Sequence, residues 1–237
     1  MSLKKRLILF YIFLLTGISV LWAGDTAIFV DLGFSPDGRY YMFGQYGVLS
    51  PSLRPWAEIY VVNVATNTFV TNGRASFTQT SPIRAGQDGS GILHQLVAGN
   101  SALSSRYNIN FQNQGLPLYI SRDENPSPSG ERITFRDFIS GNNYTAQLMP
   151  TITGSGRNIS SRFHINLYIN SQTIPHIIGA PNFSRQQVVQ YNIKRVFINS
   201  VNNDGSGGNS IIFVIEMKCA AENGFDIRYM VEAFRLP

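Results

Sequence analysis

From Ala27 to Ala233 one pattern recurs. A short run of apolar and aromatic residues, often alternating with polar ones, gives way to a cluster of Gly, Asn, Asp, Ser or Pro, and another short run follows. Period-two hydrophobicity broken by frequent turn residues produces hairpins, and hairpins stack face to face. Long patterns with a 3.6-residue period are nearly absent. The expected fold is therefore mainly β: antiparallel hairpins forming a sandwich or a partial-propeller-like domain.

The first hairpin is the clearest. Residues 27–30 run on to Phe34, then Ser35-Pro36-Asp37-Gly38, then 39–43. Proline presets φ for the first turn position, Asp37 bonds nearby backbone, and Gly38 accepts positive φ. Residues 56–64 (WAEIYVVNV) are apolar on both faces, which places this strand centrally in its sheet. Ala65-Thr66-Asn67 turns the chain into 68–70. Residues 71–90, with Gly73, Pro82, Gly86 and Gly89, read as loop. One helix is expected over 92–107, from the spacing of Ile92, Leu96, Ala98 and Leu103, with Gly99 weakening it. A second β region follows: 117–120, a turn at 126–130, then 132–136, 144–148, 163–169, 174–178 and 188–198. The β subregions 24–80 and 115–237 are thus joined by a loop and helix segment.

The last hairpin permits a register argument. Ile211, Phe213, Ile215, Met217 and Cys219 make one apolar face. Phe225, Ile227, Tyr229, Val231 and Ala233 make another. A slip of one residue would put one of these faces in water. Pairing them sets Cys219 opposite Ile227 and Met217 opposite Tyr229 around a three-residue loop, with Lys218, Arg228 and Glu232 outward. The alternative, a two-residue Asn-Gly loop, sets Cys219 opposite Arg228.

The first residues carry an address. Lys4, Lys5 and Arg6 precede an uncharged, mostly apolar run at 7–20, and Leu21-Trp22-Ala23 offers a small residue before a cut. This is the order of a secretory signal peptide, 1–23. The apolar stretch lies at the short edge of the roughly 20 residues a membrane span requires, so a retained anchor is the alternative, as is a cut after Gly24. No second run of spanning length follows. Without Lys4, Lys5 and Arg6, the 19 Lys and Arg fall to 16 against 14 Asp and Glu. That balance gives no footprint for nucleic acid. Cys219 is the single cysteine, so no internal disulfide forms and stability rests on the core.

No catalytic, cofactor-binding or metal-ligating residue is assigned. His94, His164 and His176 fall in separate elements without ligand spacing. The Gly-Ser-Gly strings at 89–91, 154–156 and 205–207 lack the phosphate-loop pattern. Residues 202–207 (NNDGSG) begin like a calcium loop, but its twelfth position is Phe213, where a bidentate carboxylate is needed. Asp31, Glu58, Asp137 and Glu216 lie in or near strands and could supply a glycosidase pair only if the fold converges two of them. Tyr40, Tyr41, Phe43, Tyr46, Trp56 and Tyr60 crowd one stretch and read first as core, with an outward binding platform as the alternative.

Two resemblances add to this reading. Residues 34–43 (FSPDGRYYMF) followed by 59–64 (IYVVNV) resemble one blade of the TolB-like β-propeller repeat. The later turns Ser127-Pro128-Ser129-Gly130 and Asn203-Asp204-Gly205 are not followed by a second such strand. Residues 33–40 (GFSPDGRY), Ile59-Tyr60 and 224–231 (GFDIRYMV) resemble an uncharacterised bacterial family of predicted secreted proteins, a domain of unknown function. This resemblance implies an exported protein and supplies no site residues. The function expected is a non-catalytic interaction or structural module of the cell envelope, periplasmic or secreted, whose partner is an envelope protein or glycan. The alternative is a carboxylate-based hydrolase of envelope polysaccharide. An edge-strand surface favours the module; a cleft with two acids favours the enzyme.

Overall fold

The computed structural model describes residues 24–84, 86–121, 130–199, 209–222 and 224–236. The leader at 1–23, most of the turn at 126–130 and the calcium-like string at 202–207 lie outside the described residues. In chain order the elements are β1 (Ile28–Phe34), β2 (Tyr40–Leu49), β3 (Arg54–Asn63), β4 (Thr68–Thr78), α1 (Ser90–Gly99), α2 (Ser101–Arg106), β5 (Leu116–Ile120) and β6 (Arg132–Arg136). They continue with β7 (Asn143–Thr153), β8 (Ser160–Ile169), β9 (His176–Ile178), β10 (Arg185–Gln186), β11 (Val188–Asn199), β12 (Ser210–Ala221) and β13 (Gly224–Arg235).

Three antiparallel sheets form. The first is the meander β1-β2-β3-β4, the second runs β13-β12-β11-β5, and the third runs β6-β7-β8 with β9 and β10 both along the outer edge of β8. The Ser35–Gly38 turn works as its residue types require. Ser35 Oγ donates to Asp37 Oδ1 at 2.6 Å, and the Tyr40 N–H donates back to Ser35 Oγ at 3.0 Å. Gly38 takes φ +65°, a region open to glycine without steric cost.

The second sheet is the middle layer of a stack. On one face Phe197, Ile212, Val214 and Val231 pack against Phe29, Phe34, Tyr41 and Phe43 of the first sheet. On the other, Ile193, Val196, Ile211, Phe213 and Ile215 pack against Leu148, Phe163, Ile165 and Leu167 of the third. Helix α1 lays Ile92, Leu93 and Leu96 over Met42, Ala57, Ile59 and Val61 on the remaining face of the first sheet. The layers therefore read helix, sheet, sheet, sheet. The two β regions of the sequence share the core between the first and middle layers. The sheets stack and do not circle an axis, so the propeller-like expectation gives way to the sandwich-like one.

This stacking explains where the strand pattern misleads. The observed register pairs Cys219 with Asp226 and Ala221 with Gly224. Neither Ile227 nor Arg228 stands opposite Cys219, and two residues, not three, separate the strands. The expectation assumed one wet face, yet Ile211, Ile212, Phe213, Val214 and Ile215 are all fully buried. With apolar cover on both sides, a one-residue shift exposes nothing on β12, and alternation loses its power to set register. Glu232, expected outward, lies opposite Phe213 and is 4% exposed.

Two further expectations change. Residues 71–78 belong to β4: after a bulge near Gly73 the pairing resumes at Arg74 with Tyr60 and runs to Thr78 with Trp56. β4 is an exposed edge, so it carries no apolar alternation for the sequence to reveal. The single helix at 92–107 is two helices, broken where Asn100 leaves helical geometry at ψ +29° and its side-chain amide donates to the Leu96 carbonyl.

Candidate functional site

β13 ends the middle sheet, and its outward backbone groups would ordinarily be free to pair with another chain. In an antiparallel ladder alternate residues turn their N–H and C=O away from the partner. On β13 these are the odd-numbered positions, as their acceptors show. The Ile227 N–H donates to the Asp25 carbonyl at 2.8 Å, that of Tyr229 to Gln45 Oε1 at 2.8 Å, and that of Ala233 to Asn67 Oδ1 at 2.7 Å. Val231 lies between the last two, on the same edge. Among the described residues nothing accepts its N–H.

A groove of about 630 Å³ opens over this part of the edge. One wall is the β3–β4 turn with Asn67 and Phe69, the other is the β9–β10 segment from Ile177 to Arg185, and the floor is Met230 to Arg235. Phe69, Ile177 and Phe183 are exposed along the rim. The base is polar. Asn67 holds φ +52°, a left-handed conformation that Asn tolerates better than most residues. Its Nδ2 donates to Glu232 Oε2, and Arg185 Nη2 stands 3.8 Å from Glu232 Oε1. Gly179, at φ +98°, lets backbone pass the carboxylate, which a β-carbon would meet at 3.3 Å. Burial pushes the Glu232 carboxyl up, while the Asn67 amide and the Arg185 charge pull it back.

Arg185 is held by packing. Its guanidinium lies 4.9 Å from the centroid of Phe163 and 5.0 Å from that of Phe183, a geometry that attracts a cation to an aromatic face. The side chain is 14% exposed, and its buried Nη1 makes no hydrogen bond of normal geometry among the described residues. The nearby Tyr191 hydroxyl, raised by burial, is lowered in part by this charge, and it also bonds Ser161 Oγ at 2.7 Å. The groove thus offers apolar rims, a fixed cation, a buried acid and, at Val231, a strand N–H without an acceptor among the described residues. Its lining holds one carboxylate, Glu232, and two guanidiniums, Arg185 and Arg235.

The carboxylates singled out from sequence are each committed to their own neighbours. Glu58 accepts from Arg74 at 2.7 Å, from the Tyr60 hydroxyl at 2.5 Å and from Gln45 at 3.0 Å. Glu216 accepts from Asn192 at 3.0 Å and Tyr229 at 3.2 Å, with Lys194 at 3.5 Å. Asp137, 3% exposed, accepts from Ile139 N–H and Ser140 Oγ and so shapes a turn. Asp31 accepts from the Gly33 N–H at 2.9 Å, and burial pushes its carboxyl up to about 7. None of these four lines the groove. No group of three His, Cys, Asp or Glu suited to a metal occurs among the described residues. His94 is exposed on α1 and His164 half-buried on β8; His176 packs against Phe234. Of the aromatic stretch, Tyr41, Phe43, Trp56 and Tyr60 are buried. Cys219 is half-buried, and burial raises its thiol.

Asn67, Arg185 and Glu232 were not singled out from sequence as a site. The turn around Asn67 was legible, whereas Glu232 read as an outward charge and is buried. Their convergence depends on the stacking order, which local pattern does not carry.

A family model described as "Predicted secreted protein (DUF2259)" matches residues 42–235. No curated protein and no solved structure matches the chain. No helix among the described residues is long and apolar enough to cross a membrane.

Proposed function

Because the chain belongs to the DUF2259 family of predicted secreted proteins, we propose that it acts outside the cytoplasm as a non-catalytic binding module of the cell envelope. Its groove over β13 takes an extended peptide segment of an envelope protein. The observation that carries this is the open position at Val231, set between apolar rims and beside a fixed Arg185. An extended peptide offers the carbonyl that the Val231 N–H lacks, and side chains for Phe69, Ile177 and Phe183 to cover.

The hydrolase reading draws less support. Hydrolysis by a carboxylate pair needs two acids flanking the bond, and the groove supplies Glu232 alone, already bonded to Asn67.

The test is cross-linked capture of the tagged protein from cells, compared with Val231→Pro. Proline removes an outward N–H without touching the β12 ladder, which an edge strand accommodates. The reading expects a partner captured by the wild type and lost from a folded Val231→Pro variant. A partner captured equally by both contradicts it.

A further inference from the structure

The third sheet ends in two neighbouring turns that the groove does not use. One, between β6 and β7, carries Phe138 and Ile139; the other, between β8 and β9, carries Ile174. The turns are bound together at their bases. Asn170 Nδ2 donates to Asn142 Oδ1 at 3.0 Å, the Asn143 N–H donates to Asn170 Oδ1 at 3.0 Å, and the Asn170 N–H donates to the Asn143 carbonyl at 2.7 Å. Asp137 fixes the first turn from below through the Ile139 N–H and the Ser140 hydroxyl. Upon this frame Phe138 is 86% exposed, Ile139 71% and Ile174 81%.

We infer that this tip is a lipid-facing element that seats the protein on a bilayer surface. Three large apolar side chains are held in water by turns whose sequences, 138–143 (FISGNN) and 170–175 (NSQTIP), contain no charged residue. Burying a charge in hydrocarbon is costly, so a tip without one enters the headgroup and upper acyl region at little penalty. Aromatic and aliphatic side chains with polar amide neighbours suit that interface. The first exposed charge behind the tip is cationic: Arg136 lies 5.6 Å from the Phe138 ring centroid, placed to meet an anionic headgroup once the ring is inserted. Both turns close the same end of the third sheet, so the three side chains can enter one surface together.

The test uses the chain without its leader, from Gly24 on, carrying Phe138→Trp, and vesicles of equal parts phosphatidylethanolamine and phosphatidylglycerol with brominated acyl chains. The wild type of the same length supplies the background from Trp56. Seating predicts that vesicles quench the added emission well beyond that background. It also predicts loss of the extra quenching when Ile139 and Ile174 are both replaced by Ser. The same readout from Ile174→Trp makes the result independent of how either variant folds. Added emission that is unchanged by vesicles at both positions overturns the inference. So does an emission shift that grows with protein concentration in the absence of lipid, which would assign the tip to a second copy of the chain.

Discussion

Asn67 donates its side-chain amide to Glu232, 165 positions later in the chain, and accepts the N–H of Ala233 on its other atom. One residue in a first-sheet turn thus closes part of the middle sheet's edge and satisfies a buried acid whose other neighbour, Arg185, belongs to the third sheet. Three layers meet at a single carboxylate. Replacing Asn67 by Gly keeps the left-handed conformation and removes the amide. The expected loss is about 1–3 kcal/mol, the range for stranding a buried polar group, read as a lower urea midpoint. Asn67→Ala should lose more, since it adds the strain of positive φ.

The register of the last hairpin is open to direct chemistry. Cys219 lies opposite Asp226, so the two β-carbons share a face. Asp226→Cys should form a disulfide with Cys219 under mild oxidation, because directly paired strand residues lie within the span a disulfide bridges. Ile227→Cys points to the opposite face and should keep two free thiols. Thiol counting that reversed this result would restore the register read from hydrophobic alternation.

That register shows what the sequence could and could not carry. β8 was legible because it is wet on one side: Phe163, Ile165, Leu167 and Ile169 face the core while Arg162, His164, Asn166 and Tyr168 do not. The first hairpin was legible because its turn chemistry is local. β12 was not, since both its faces are dry, and β4 was not, since its edge is exposed. The groove was hidden for a related reason. Asn67, Arg185 and Glu232 come from three different layers, and nothing in their own segments says that those layers stack in this order.

The middle layer should be intolerant on both faces. Ile211 and Ile212 are neighbours in sequence, fully buried in different cores. Each change to Ala should cost about 2–5 kcal/mol through lost burial and a residual cavity. In a two-layer sandwich one of the pair would be nearly neutral. Chemical denaturation of the two single variants separates these cases.

Stability should rise on mild acidification. Burial holds the Asp31 carboxyl at about 7, whereas an unfolded Asp titrates near about 3.9. Between those values the folded chain binds a proton that the unfolded chain lacks, so stability falls as pH rises through the window and stays reduced above it. Glu232, also raised by burial, contributes with the same sign. Asp31→Asn should flatten the profile and stabilise the protein at about pH 8 by roughly 1–2 kcal/mol, partial solvation reducing the full effect. Melting temperatures of both forms across that range provide the check.

The central claim is that the β13 groove is where this exported protein meets its partner. The most direct measurement places a photo-cross-linking residue at Phe183, exposed on the groove rim, and another at His94, exposed on α1 as a remote control. Irradiated cells should yield a discrete adduct from position 183 that disappears when Val231→Pro is added, with no such adduct from position 94. A silent position 183, or the same adduct from both positions, would contradict the account.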